Sequence, residues 1–188
     1  IMEITNLMSV DVSSKKNSED QFAIDVLTGL CSKPKSLPAK YFYDDIGSEL
    51  FQKITQHEDY YPTRTEFKIL ESITKELPQS MDVPELDIIE LGAGDGHKSK
   101  IVIDSFIDHG TKVNFYPIDI SEKAMVLLEE NIPSRADVLK VHGIVAEYFQ
   151  GLNFVRSQSS NPILVLFLGS NIGNFDRVQN LGFLRRLW

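Results

Sequence analysis

Residues 86–98, LDIIELGAGDGHK, decide how the rest of the chain is read. Within them, residues 87–91 form an apolar run of strand length with β-branched Ile88 and Ile89. The run breaks into three glycines spaced by single residues, Gly92, Gly94 and Gly96. An apolar run bounded in this way predicts a strand entering a tight loop. A backbone that turns sharply from strand to helix while a ligand presses on its amides has no room for Cβ atoms, and glycine removes them. A triphosphate-binding loop needs lysine and then Ser or Thr directly after its last glycine, and here His97 precedes Lys98 and Ser99. The dinucleotide fingerprint has two residues between its last two glycines, whereas Asp95 alone separates Gly94 from Gly96. That spacing disfavours a nicotinamide-dependent oxidoreductase. Taken alone, the loop could also be a structural turn.

The totals bound the alternatives. At 188 residues the chain holds one ordinary domain, or a core with a helical extension. With 42% hydrophobic and 24% charged residues it reads as a soluble globular protein, and no apolar run reaches membrane-spanning length. A single cysteine, Cys31, permits no intramolecular disulfide, and no signal-peptide pattern opens the chain, so a cytoplasmic location is expected. Four scattered histidines and one cysteine give no metal-site spacing. A net charge of −8 with dispersed basic residues argues against nucleic acid and for a small-molecule substrate.

Upstream of the loop, residues 1–18 read as a frayed polar tail. Phe22, Val26, Leu27 and Leu30 then recur at helical spacing over 19–30, predicting an amphipathic packing helix with Cys31 as a buried filler or idle thiol. Residues 36–66, SLPAKYFYDDIGSELFQKITQHEDYYPTRTE, are dense in polar and aromatic side chains. Ile46, Leu50, Phe51 and Ile54 predict a short helix capped by Asp44 or Asp45. Tyr41, Tyr43, Tyr60 and Tyr61 flank it. A tyrosine offers a flat apolar face and a hydroxyl that both donates and accepts, which suits a pocket for a small zwitterion, although a half-buried core role is the common one. Thr63 and Glu66 fit a capping box that opens a helix running to Leu77. Arg64 could pair with a carboxylate or meet ligand.

Downstream, residues 98–109 predict a helix with Ile101, Val102, Ser105 and Phe106 toward a sheet. VNFYPID, 113–119, predicts a second strand ending in Asp119. A carboxylate there can accept both ribose hydroxyls of an adenosine, and with Ser121 as the better helix cap Asp119 is free to do so. A helix over 121–130 and a third strand over 137–141 follow. After Pro162, ILVLFL predicts a strand buried on both faces, ending in GSNIGNF, 169–175, and a last helix over 176–188. The Asn and Gly residues of 169–175 could form a plain turn.

The form ExGxGxG, from Glu90 to Gly96, resembles the first motif of S-adenosylmethionine-dependent methyltransferases. KSLPAKYFYDDIGSELFQKIT, then YYPTR, then ELGAGDGHKS, resemble in order the histidine-specific methyltransferase family, whose best-known activity is trimethylation of the α-amino group of L-histidine on the route to ergothioneine. A sibling branch methylates the amine of a prenylated tryptophan. The resemblance implies S-adenosyl-L-methionine as cofactor, with Gly92, Gly94, Lys98 and Asp119 on its methionine and ribose parts. Glu147 and Tyr148 would hold the adenine, Glu147 standing where the family usually has Asp. Tyr43, Tyr60 and Asn174, the last in a stretch similar to the family's LGS/T-IGN motif, would grip the amino acid substrate. No residue is assigned a catalytic acid–base role and no metal is expected.

The expected fold is therefore α/β, a Rossmann-like methyltransferase core over 81–188 with about four parallel strands, preceded by a helical substrate or lid region over 1–80. The family's sheet has seven strands and an inserted recognition domain, so the chain resembles a truncated member, and a histidine preference does not transfer residue by residue. An exposed sheet edge would invite self-association. A cofactor-binding fragment without turnover and an N-methyltransferase of a tryptophan-derived amine stand as the alternatives.

Overall fold

A computed structural model describes residues 8–9 and 15–187. In chain order the elements are β1 (Met8–Ser9), α1 (Lys15–Cys31), a 3-10 turn (Ala39–Phe42), α2 (Asp45–Thr55), α3 (Tyr61–Ile73) and α4 (Leu77–Met81). They continue with β2 (Glu85–Leu91), α5 (His97–Asp108), β3 (Lys112–Asp119), α6 (Glu122–Asn131), β4 (Leu139–Val141), β5 (Ile144–Val145) and α7 (Tyr148–Gln158). β6 (Ile163–Leu166), a second 3-10 turn (Asn171–Asn174) and α8 (Arg177–Leu187) complete the chain.

The strands form one parallel sheet in the order β1-β5-β3-β2-β6, with β4 also paired to β3. β2 and β3 are in register from Glu85 opposite Lys112 to Leu91 opposite Ile118. Every residue of β2 after Glu85 is buried because helices cover both faces of the sheet, and four of them, Leu86, Ile88, Ile89 and Leu91, are aliphatic. Leu86 and Ile88 pack with Val102, Ile103 and Phe106 of α5 and Met125 and Leu128 of α6. Ile89 and Leu91 pack on the other face with Leu152 and Val155 of α7 and Phe183 of α8. All four β2 side chains are fully buried, each worth about 1.5–3 kcal/mol by apolar burial. The chain reverses direction across the sheet between β2 and β6, the switch point of a Rossmann-like fold.

Several local expectations are corrected. Among the described residues the sheet has six strands rather than about four, because the two-residue strands β1 and β5 are too short to carry a period. β1 lies within the stretch read as a polar tail, and α1 begins at Lys15 rather than 19; the rest of that tail, 1–7 and 10–14, lies outside the described residues. α1 is amphipathic by spacing but does not bury the predicted face, since Phe22, Leu27 and Leu30 are exposed, and so is Cys31. Of the two candidate caps for α2, Asp44 does the work, accepting from the Gly47 amide at 2.7 Å. β6 is half-buried rather than covered on both faces, because among the described residues no strand pairs with its outer side.

The predicted capping box does not form. α3 begins at Tyr61, two residues before Thr63, with Pro62 in its first turn, and it ends at Ile73 instead of running to Leu77, where α4 starts. Glu66 is thereby released for a different task.

Candidate functional site

At the carboxyl ends of β2, β3 and β6 a cleft of about 1210 Å³ opens, beside the switch point. Single drug-sized ligands occupy roughly 300–1,000 Å³, so the space admits a cofactor with a second small molecule beside it. Its floor is the glycine loop 92–96 and its far side is the loop after β6. The 3-10 turn before α2, with α2 and α3, supplies the remaining wall through Lys40, Tyr43, Phe51 and Phe67.

The glycine loop is built as the sequence predicts. The Gly92 amide donates to the Ile118 carbonyl at 2.8 Å and the Gly94 amide to Asp119 Oδ2 at 3.1 Å, so the end of β3 holds the loop that follows β2. Gly92 has φ +74, and a Cβ there would stand 2.9 Å from the Tyr148 hydroxyl and 3.1 Å from Asn171 Nδ2. Gly94 has φ +56 and would meet nothing within 4 Å, leaving an open cradle over the cleft of the kind a ligand backbone contact needs.

Eight of the nine predicted site residues line this cleft: Tyr43, Gly92, Gly94, Lys98, Asp119, Glu147, Tyr148 and Asn174. Tyr60 is absent from the lining. It precedes α3 and packs edge-on against Phe51 at 6.2 Å, while Tyr43 meets the same ring at 5.9 Å. The expectation of a free Asp119 is modified: Ser121 does cap α6, yet Asp119 Oδ1 accepts from the Ser121 amide at 3.0 Å while Oδ2 holds Gly94. Burial nevertheless raises its pKa against these amide bonds. Glu147 precedes α7 without making a side-chain cap bond, and its carboxylate is exposed toward the cleft. Burial pushes the Tyr148 phenol up to about 12, helped by the negative charge of Asp119, so its hydroxyl remains a donor at neutral pH.

Lys98 is not a free cation. Its ammonium lies 2.5 Å from Glu66 Oε2, while Glu66 Oε1 accepts from the Gly169 amide at 2.7 Å. Arg64 lines the cleft but pairs with no carboxylate among the described residues. It donates to the His57, Glu58 and Tyr60 carbonyls and ties the 56–60 loop to α3. Tyr41 is likewise structural, donating to Asp25 at 2.6 Å.

Sequence reading passed over three features. Glu90 served only to define the motif, yet it is fully buried, accepts from Ser99, and burial pushes its carboxyl up to about 8. An acidic residue inside a buried apolar strand was the available signal. Glu66 was hidden by its match to a capping box. Phe175 and Phe183, whose rings lie 5.2 Å apart with Tyr148 edge-on to Phe183, form an aromatic side of the cleft that only the return of α8 creates.

Among the described residues, no group of His, Cys, Asp and Glu is placed to hold a metal, and no helix is long and apolar enough to cross a membrane.

Comparison with known proteins adds one family match and three relatives. The family model described as histidine-specific methyltransferase, SAM-dependent, matches residues 22–188. Histidine N-alpha-methyltransferase of Mycobacterium tuberculosis is 32% identical over 87% of this chain and 50% of its own length. Ergothioneine biosynthesis protein 1 of Schizosaccharomyces pombe is 32% identical over 97% of this chain and 23% of its own, and 4-dimethylallyltryptophan N-methyltransferase of Claviceps purpurea is 28% identical over 95% and 52%. The chain spans about half the length, or less, of these curated relatives.

Proposed function

This chain belongs to the histidine-specific, SAM-dependent methyltransferase family, and on that premise we propose that its cleft binds S-adenosyl-L-methionine and that the whole protein methylates the α-amino group of an amino acid, L-histidine. The observation that carries the reading is the pairing of an open glycine cradle, at Gly94, with the carboxylate that holds it, Asp119, at the carboxyl ends of adjacent strands. Such a floor suits a nucleoside with an attached backbone-like chain.

The residues divide the work by position. Gly92, Gly94 and Lys98 face the methionine part and Asp119 the ribose. Glu147 and Tyr148 face the adenine. Asp119 has lone pairs left beyond the two amides it accepts, and these serve the vicinal ribose hydroxyls. Tyr43 and Asn174 lie across the cleft as grips for the amino acid head, and Tyr60 acts through Phe51. The cofactor supplies an electrophilic sulfonium methyl when bound. What the protein adds is alignment of the amine lone pair and exclusion of water, together with holding the amine deprotonated, since the free α-amino group of an amino acid is largely protonated at neutral pH.

A histidine substrate draws support from the family description and from relatives named histidine N-alpha-methyltransferase, against relatives named for 4-dimethylallyltryptophan at lower identity. We read 1–80 as the tail and substrate-facing helical region and 81–188 as the partial methyltransferase core, in a protein of the cytoplasm. The outer side of β6, unpaired among the described residues, gives a route to self-association.

Calorimetric titration with S-adenosylmethionine and S-adenosylhomocysteine, followed by methyl-transfer assays on histidine and on 4-dimethylallyltryptophan, tests the proposal. Binding with transfer to histidine supports it. Binding without transfer to either amine assigns the chain as a cofactor-binding fragment, and no binding overturns the reading of the glycine loop.

A further inference from the structure

We infer that Glu66 is a positioning residue, whose carboxylate clasps the loop beyond β6 and the amino end of α5 together, so that the two ligand-facing loops are held as one unit by α3. Three segments distant in the chain converge on this side chain. One oxygen, Oε1, accepts from the Gly169 amide at 2.7 Å, at the start of the loop that carries Asn171 and Asn174. The other, Oε2, lies 2.5 Å from the ammonium of Lys98, in the first turn after the glycine loop.

The partners also approach each other. Lys98 Nζ lies 3.5 Å from where a Cβ on Gly169 would stand, and Gly169 has φ +78, a conformation open to glycine. Both charged side chains are about four-fifths shielded, with 21% and 23% of their surfaces accessible, so solvent screens the pair less than it would an exposed one. An ammonium has three donors, and engaging one on Glu66 fixes the direction of the other two along the cleft wall. Glu66 therefore sets how Lys98 meets an acceptor group of a ligand without lying on the cleft lining itself. A carboxylate accepting a backbone amide and a lysine at once forms charge-assisted bonds, stronger than their neutral equivalents.

Two substitutions separate the halves of the clasp. Glu66→Gln keeps an amide oxygen for Gly169 but abolishes the charge opposite Lys98; Glu66→Ala removes both. Hydrogen exchange by NMR, on the unliganded chain, reads the clasp directly. In Glu66→Ala the amides of 169–174 exchange at least tenfold faster while those of Ile88 and Phe115 in the sheet keep their protection, and in Glu66→Gln the Gly169 amide stays protected. Unchanged exchange at 169–174 in Glu66→Ala, or uniform loss over loop and sheet, overturns the inference.

A second arm rests on the proposed function. Affinity for S-adenosylhomocysteine falls roughly tenfold in Glu66→Gln, equal to 1.4 kcal/mol, because Lys98 loses its orientation. Unaltered affinity overturns the positioning of Lys98. A parent chain that binds no S-adenosylhomocysteine defeats the functional reading instead, and the exchange arm still decides the clasp.

Discussion

At the residue scale, two glycines two positions apart do different jobs, and substitution separates them. Gly92→Ala puts a methyl group 2.9 Å from the Tyr148 hydroxyl at a backbone angle that L-residues avoid. It is expected to lower stability by about 1–3 kcal/mol, read as a lower midpoint in thermal or urea unfolding. Gly94→Ala carries a similar backbone penalty of about 1–2 kcal/mol, but its methyl enters open cleft. There the larger loss is in S-adenosylhomocysteine affinity, measured by calorimetry. Glu90 gives a pH signature. Its folded-state pKa is raised from 4.5 to about 8 by burial, reinforced by Asp119 and Asp95 and opposed by Ser99 and Lys98. The unfolded chain therefore releases this proton first, and the stability associated with the neutral carboxyl is fully present below pH 4.5 and lost as pH rises through about 8. Glu90→Gln flattens that decline. Urea midpoints of parent and variant that run parallel from pH 5 to 8.5 would contradict it.

At the scale of elements, β2 carries a charge inside the sheet. Asp87 is 1% exposed, and its Oδ1 accepts from Asn114 Nδ2 at 2.8 Å on β3 and from Asn161 Nδ2 at 2.9 Å ahead of β6. One carboxylate thus pins three neighbouring strands at their amino ends, opposite the cleft. Asp87→Ala leaves both amides short of an acceptor and is expected to cost about 1–3 kcal/mol. Unfolding should move while S-adenosylhomocysteine affinity at the other end of the strands stays within twofold. α1 and α2 behave otherwise, because spacing makes them amphipathic but Phe22, Leu27, Ile46 and Leu50 remain exposed. What ties α1 to the chain that follows is Asp25 with Tyr41 and Lys40, and the ring of Phe22 edge-on to Tyr41 at 4.8 Å.

For the whole molecule, the sheet ends on one side at β6 with no strand beyond it among the described residues. Its outer edge is open to pairing, and Val178, Leu181 and Leu184 of α8 are exposed apolar side chains. Light scattering on the isolated chain is expected to give a mass above one copy, rising with concentration. A constant mass of 21.3 kDa at high concentration refutes self-association.

The sequence by itself determined the strand, loop and helix of 86–108, the second strand with Asp119 at its end, and the family, because each rests on local signals: β-branched runs, glycines where the backbone turns back, and motifs in a fixed order. Tertiary structure alone decided what those side chains touch. Thr63 and Glu66 carry the spacing of a helix cap, yet α3 starts two residues early and sends Glu66 to Lys98 and Gly169, more than thirty and one hundred positions away. Tyr60 and Tyr43 look alike in sequence, and the ring of Phe51 between them leaves Tyr43 on the cleft and Tyr60 off it. A motif fixes backbone shape through short-range sterics, whereas an ion pair or an aromatic wall depends on which distant segments the sheet brings together.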